Sequence, residues 1–161
     1  MFQAKRKTDI SSNSVEANQA TLANINSKLT EATNKLVTDE AAFVFYIDGG
    51  GSAITTGVKC FQTVPFNCAI TEYTLLADQS GSIVIDIWVD TFTNFPPTDA
   101  DTITGADEPE LSLAQSKRSA ASDIKKWKLN LAKGSVIGIN VDSCTTITWC
   151  TLTIKVKKAA T

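Results

Sequence analysis

Hydrophobic positions along this chain follow two different rules, and the rule changes near residue 40. Before it, Val15, Leu22, Leu29 and Leu36 stand seven residues apart, with Asn18, Ile25 and Ala32 three residues behind the first three. That is the a/d alternation of a coiled-coil seam over about three heptads, with Asn18 a polar intruder at the first d position. Asn13 followed by Glu16 reads as an N-cap with its capping-box partner. The pattern predicts a helix over about 14–37 in an arm spanning 1–40. The rest of the arm is polar, with no glycine or proline, so such a helix gains little alone and needs its narrow seam covered. Two readings compete. The seam packs on the chain's own β region, or it packs on copies of itself or on another protein. A single stripe of period seven, rather than a wide apolar face, favours the intermolecular reading. The e and g positions (Gln19, Thr21, Asn26, Lys28, Thr33, Lys35) offer few complementary charges, which leaves dimer and trimer both open.

From residue 41 to 161 the alternation has period two. AFVFYID predicts a first strand and TTGVKCFQT a second, followed by CAITEYTLLAD and GSIVIDIWVD. In the last, Ile83, Ile85, Ile87 and Val89 share one face, and Val84, Asp86, Trp88 and Asp90 the other. After a long loop come DIKKWKLNL, SVIGINVD and TITWCTLTIKVKK. Seven or eight short strands between turn residues predict a mainly β fold, an antiparallel β-sandwich of jelly-roll-like type preceded by an N-terminal α-helical arm. No helix-length apolar segments alternate with the strands, which disfavours a parallel α/β sheet.

Composition narrows the chemistry. Among 161 residues there is no histidine, and the net charge is −2. Ser-His-Asp and Cys-His catalysis, His-ligated metals and imidazole shuttles are therefore excluded. The near-neutral balance argues for neither nucleic acid nor membrane. The apolar runs are strand-sized, and the basic start MFQAKRKTDISS has no apolar h-region behind it, so no signal peptide is expected. Cys60, Cys68, Cys144 and Cys150 form no CxxC pair and read as buried free thiols, with a Cys60–Cys68 disulfide as the other possibility.

Three stretches invite a chemical reading. YIDGGGSAITTG looks like a phosphate cradle, but no lysine follows the glycines and the next residues are β-branched, so Gly49 to Gly51 read as a turn between strands. NFPPTDADTITGADEPE concentrates Asp99, Asp101, Asp107, Glu108 and Glu110, without EF-hand spacing, and reads as a solvated acidic loop over 99–110. QSKRSAASDIKKWK reads as a strand with one wet face, Ile124, Lys126 and Lys128 set against Lys125, Trp127 and Leu129. Its cations could meet the acidic loop of a neighbouring subunit. Trp88, Phe92, Phe95 and Trp149 are candidates for an aromatic ligand platform, and Asp86 reads as a structural carboxylate. No cofactor or metal site is called for.

Together, FVFYIDGGGSAITTGVKC, VPFNCAITEYTLLADQSGSIVIDIWVDTFTNFPPTDADTITG and DIKKWKLNLAKGSVIGINVDSCTTITWCTLTIKVKK resemble a β domain that recurs in structural proteins of tailed bacteriophages. The resemblance covers about residues 43 to 157; Cys60, Cys144 and Cys150 depart from it. It implies a non-enzymatic virion component, similar to tail-fibre domains and to capsid decoration or cement proteins, assembled in the host cytoplasm. A short chain with a basic arm (Phe2, Lys5, Arg6, Lys7) and an oligomerising helix suits a cement protein bound to the major capsid protein or other virion proteins. The alternatives are a short tail-fibre or baseplate protein and a carbohydrate-binding module.

Overall fold

A computed structural model describes the backbone of residues 2–36 and 40–159, and the side chains of 12–33 and 40–159. The side chains of Phe2, Lys5, Arg6, Lys7 and Leu36, and all of Val37, lie outside the described residues. By internal contacts the chain divides into two compact units, Met1–Thr38 and Asp39–Thr161.

The first unit is one α-helix, α1 (Phe2–Leu36). It starts well before Ser14, so Asn13 lies inside it and does not cap it. Without glycine or proline upstream, helix propagation outweighs a single local cap. Its threonines are accommodated because Thr21, Thr30 and Thr33 hydroxyls donate to the carbonyls of Ala17, Asn26 and Leu29, one turn back.

Among its described residues the second unit holds seven strands: β1 (Glu40–Asp48), β2 (Gly57–Thr63), β3 (Cys68–Thr91), β4 (Glu110–Arg118), β5 (Asn130–Leu131), β6 (Ser135–Thr145) and β7 (Trp149–Lys158). Strand spacing predicts two packed sheets. Hydrogen bonding links all seven strands into one curled antiparallel sheet of order β1-β7-β3-β6-β2, with β4 and β5 also on β3. The shared strand is the reason. The two segments read separately, CAITEYTLLAD and GSIVIDIWVD, are one strand of 24 residues. Its first arm pairs with β7 from Cys68 to Ala77, and its second with β6 from Ser82 to Thr91. Inward side chains of both arms and of their neighbours, from Phe43, Phe45 and Ile47 through Leu75, Ile85 and Ile139 to Leu152 and Ile154, form a single core.

Two elements differ from expectation. ELSLAQSKR, part of the expected long loop, forms β4; Leu111 is its one buried residue, and Leu113 breaks the alternation at φ 50°. DIKKWKLNL is turns rather than strand, apart from Asn130–Leu131. There Ile124 and Trp127 are buried three positions apart, and the Trp127 amide donates to the Ile124 carbonyl at 3.1 Å. A period of three, not two, places both on the core. The Trp127 ring stacks on Tyr73 at 5.5 Å between centroids.

The corner of β3 depends on Gly81. A Cβ there would sit 2.5 Å from the Thr146 hydroxyl and 2.6 Å from the Thr145 carbonyl. At Gly50 space is open, but φ is +66°, and its N–H donates to the Asp48 carboxylate at 2.8 Å. Gly81→Ala is therefore expected to cost about 2–3 kcal/mol through overpacking against backbone. Gly50→Ala should cost about 1 kcal/mol through left-handed strain. Urea midpoints at unchanged m-value check both; equal losses would contradict the close approach at Gly81.

Candidate functional site

The helix seam comes first. Val15, Leu22, Ile25 and Leu29 are all exposed, Leu22 and Leu29 at 61% and 62%, and Asn18 and Ala32 are exposed too. Exposed leucines on an otherwise polar helix are an apolar stripe without its complement.

The four aromatics expected as one platform are separated by the fold. Trp88 is buried, and its Nε1–H donates to Asp86 Oδ2 at 2.7 Å. Asp86 Oδ1 accepts from the Ile87 amide at 2.7 Å, from the Thr102 hydroxyl at 2.7 Å and from the Thr104 hydroxyl. Asp86 and Trp88 are thus a polar clamp on the segment 92–104, whose end bridges β3 backbone to backbone, the Ile103 amide donating to the Ile87 carbonyl at 2.9 Å. This segment is pulled close. A Cβ on Gly138 would meet Pro97 at 3.1 Å and Phe61 at 3.2 Å, and Phe95 meets Phe61 edge to face at 4.9 Å. Phe92 and Phe95 stay exposed on it.

Trp149 stands on the other arm of the sheet and has a partner that sequence reasoning missed. Its ring lies 5.7 Å from that of Tyr46, tilted by 33°. Trp149 pairs with Asp48, and Tyr46 with Thr151, so alternation places Tyr46, Trp149, Thr151 and Asp48 on one outward face. Val44 and Leu76 share it and are exposed. Alternation against Phe45 and Ile47 marks Tyr46 as outward, but only the β1–β7 register shows what it meets. Asp78 anchors this end. It accepts from the Thr148 hydroxyl at 2.6 Å and from the Thr148 and Trp149 amides at 3.1 and 3.3 Å. These bonds, the Thr148 hydroxyl foremost, hold its carboxyl below its ordinary pKa.

Three acids of the loop, Asp101, Asp107 and Glu110, meet groups of their own chain. Asp101 closes a turn with Thr98, Asp107 pairs with Lys126 at 3.3 Å, and Glu110 pairs with Lys117 at 3.8 Å. Within the basic stretch, Lys117 and Lys126 thus pair with acids of this chain's own loop, and Arg118 pairs with Glu72 of β3 at 3.6 Å. Among the described residues no group of three or more Cys, Asp or Glu side chains is placed to hold a metal ion. All four cysteines are free thiols. Burial, then the nearby Cys144 and Asp78, pushes Cys150 up to about 12, and burial raises the other three, so none is an activated nucleophile. Gly49 to Gly51 form a turn, Gly50 and Gly51 at positive φ, with strand rather than helix after it; no cradle of P-loop geometry is present there. Among the described residues no helix is long and apolar enough to cross a membrane.

Neither a family model nor a curated protein matches the chain. Among solved structures it is similar to a chain of the capsid of Ralstonia phage GP4, with a TM-score of 0.44 and 14% identity over 77% of this chain and 87% of that one.

Two outcomes follow for the β unit. Asp86→Ala strands the Trp88 and Ile87 donors and should cost about 2–4 kcal/mol, with altered tryptophan fluorescence; a change within about 0.5 kcal/mol would contradict the clamp. For Asp78, a carboxyl with lowered folded pKa stabilises above the ordinary carboxylate range and loses that contribution as pH falls through its folded value. The urea-midpoint gap between wild type and Asp78→Asn is therefore expected at pH 7 and closes in acid. A gap independent of pH would contradict this role.

Proposed function

We propose that this chain is a non-enzymatic structural protein of a bacteriophage virion, a capsid cement or decoration protein that clamps neighbouring shell subunits. The observation that carries the reading is the exposed period-seven seam on a helix that forms its own compact unit. A polar helix of 35 residues with a bare apolar stripe has a partner to find. The basic residues Lys5, Arg6 and Lys7 precede that stripe and suit an arm held by shell proteins. On this reading the curled sheet is a jelly-roll-like sandwich whose two layers share β3, and it presents the outward surface. The sequence resemblance of residues 43 to 157 to a recurrent phage structural domain supports the same role.

A second reading, a short tail-fibre or baseplate protein that meets host-surface carbohydrate, is favoured by the Tyr46–Trp149 pair. Paired aromatic faces beside Asp48 and Thr151 offer stacking and hydrogen-bond acceptors to a sugar ring.

The test is binding of the full chain to particles stripped of it, with empty shells and isolated tails compared. Shell binding that falls at least about tenfold in Leu22→Glu, equivalent to about 1.4 kcal/mol, is the expected result. Binding to tails alone would overturn the cement role. A glycan array would then decide the second reading, which requires signal lost in Trp149→Ala.

A further inference from the structure

We propose that α1 associates with other copies of this chain as a parallel, in-register bundle of more than two helices, layered at Asn18. The inference deepens the reading above and rests on it for the identification of the seam as an interface. Three features of the seam carry it.

The first is spacing. A straight helix drifts by about 20° per heptad against a seven-residue repeat, so a strictly seven-spaced stripe stays in contact only with a partner that supercoils with it. Val15, Leu22 and Leu29 keep that spacing, with Asn18, Ile25 and Ala32 three residues after each in turn, and all six side chains are exposed. A second copy of the same helix carries the same period; a flat sheet or an irregular shell surface has no reason to select it.

The second is direction. In a parallel, in-register bundle each layer is self-matched, so Asn18 meets Asn18 and its amide can both donate and accept. Ala32 meets Ala32. An antiparallel bundle pairs a with d. Centred on Leu22 against Ile25, it sets Asn18 against Leu29 and Val15 against Ala32. The amide then lies unpaired in an apolar layer. Flanking charges agree with the parallel choice. Across a parallel interface Thr21 neighbours Asn26 and Lys28 neighbours Thr33, so no like charges meet.

The third is number. Dimers favour β-branched residues at a with Leu at d, whereas Leu at a with Ile at d favours larger bundles. Here Leu22 and Leu29 occupy a around Ile25 at d. Val15, the β-branched a residue, belongs to the Asn18 end. A parallel bundle also gathers the N-terminal segments of all its chains at one end, which turns several weak arm contacts with the shell into one avid attachment.

The experiment uses the full chain. Sedimentation equilibrium of the wild type should give a mass of three or more chains, and Leu22→Glu should reduce it to one. Asn18→Cys, oxidised with copper phenanthroline, should yield chains linked through position 18, with the wild type as control for the native thiols. In an equal mixture of Asn18→Cys and Leu29→Cys, links between like variants should dominate. A mass of two chains, or a dominant 18–29 link, would overturn the proposal while leaving shell binding intact. A monomer at all concentrations would overturn it as well, and shell binding measured on the same sample separates that result from failure of the cement role.

Discussion

Everything in the β unit hangs on how β3 turns its corner. A strand of 24 residues kept straight would be far longer than a small core can cover, so it must bend where its ladder can be interrupted. The interruption falls between Leu76 and Gly81, where the pairing with β4 shifts register. Three groups hold it. Gly81 gives the backbone of Thr145 and Thr146 room to approach, and Gln79 donates from its side chain to the Thr146 carbonyl. The Asp78 carboxylate gathers the hydroxyl and amide of Thr148 and the amide of Trp149. Because the corner is pinned to the start of β7, both arms of β3 turn their isoleucines and leucines into one core. The same pinning also decides where Trp149 stands on the outward face.

That dependence explains what could be read in the residues and what could not. Period-two runs located β1, β6 and β7 and the two arms of β3, because their inward positions carry most of the buried core; they also located β2, none of whose residues is buried. They did not show that the arms are one strand, since Asp-Gln-Ser-Gly has the composition of a turn and continuity is a matter of ladder hydrogen bonds. β4 was illegible for a related reason. It is held by backbone pairing to β3 and buries little beyond Leu111, so no alternation records it. The basic stretch departs from its period-two pattern because that alternation puts Ile124 and Trp127 on opposite faces, while the chain turns and buries both, three positions apart, with Trp127 on Tyr73.

The surface was legible only in part. Trp149, Phe92 and Phe95 are exposed as a ligand platform requires, but the fold sets them on different arms. Trp88 lies beneath the loop that its own indole helps to hold. Its burial follows from Asp86, the carboxylate two residues away on the same face, which needed donors and found them in Thr102 and Thr104. The partner of Trp149 is Tyr46, brought to it across 103 positions of sequence by β1–β7 pairing. The helix is the opposite case. Its seam is a local, periodic property, and the exposure of Leu22, Ile25 and Leu29 adds the one fact that periodicity lacks, namely that the stripe is bare.

One unit of the chain is stabilised by its own core and the other exposes an apolar seam, which under the proposed function is an attachment surface. The most direct measurement of what it attaches to is its position in a virion that carries it, located by cryo-electron microscopy with a density tag at the C-terminus. Tag density repeated over the shell, at contacts between capsid subunits, is the expected result for a cement protein. Density confined to the tail, or none on the particle, would contradict it.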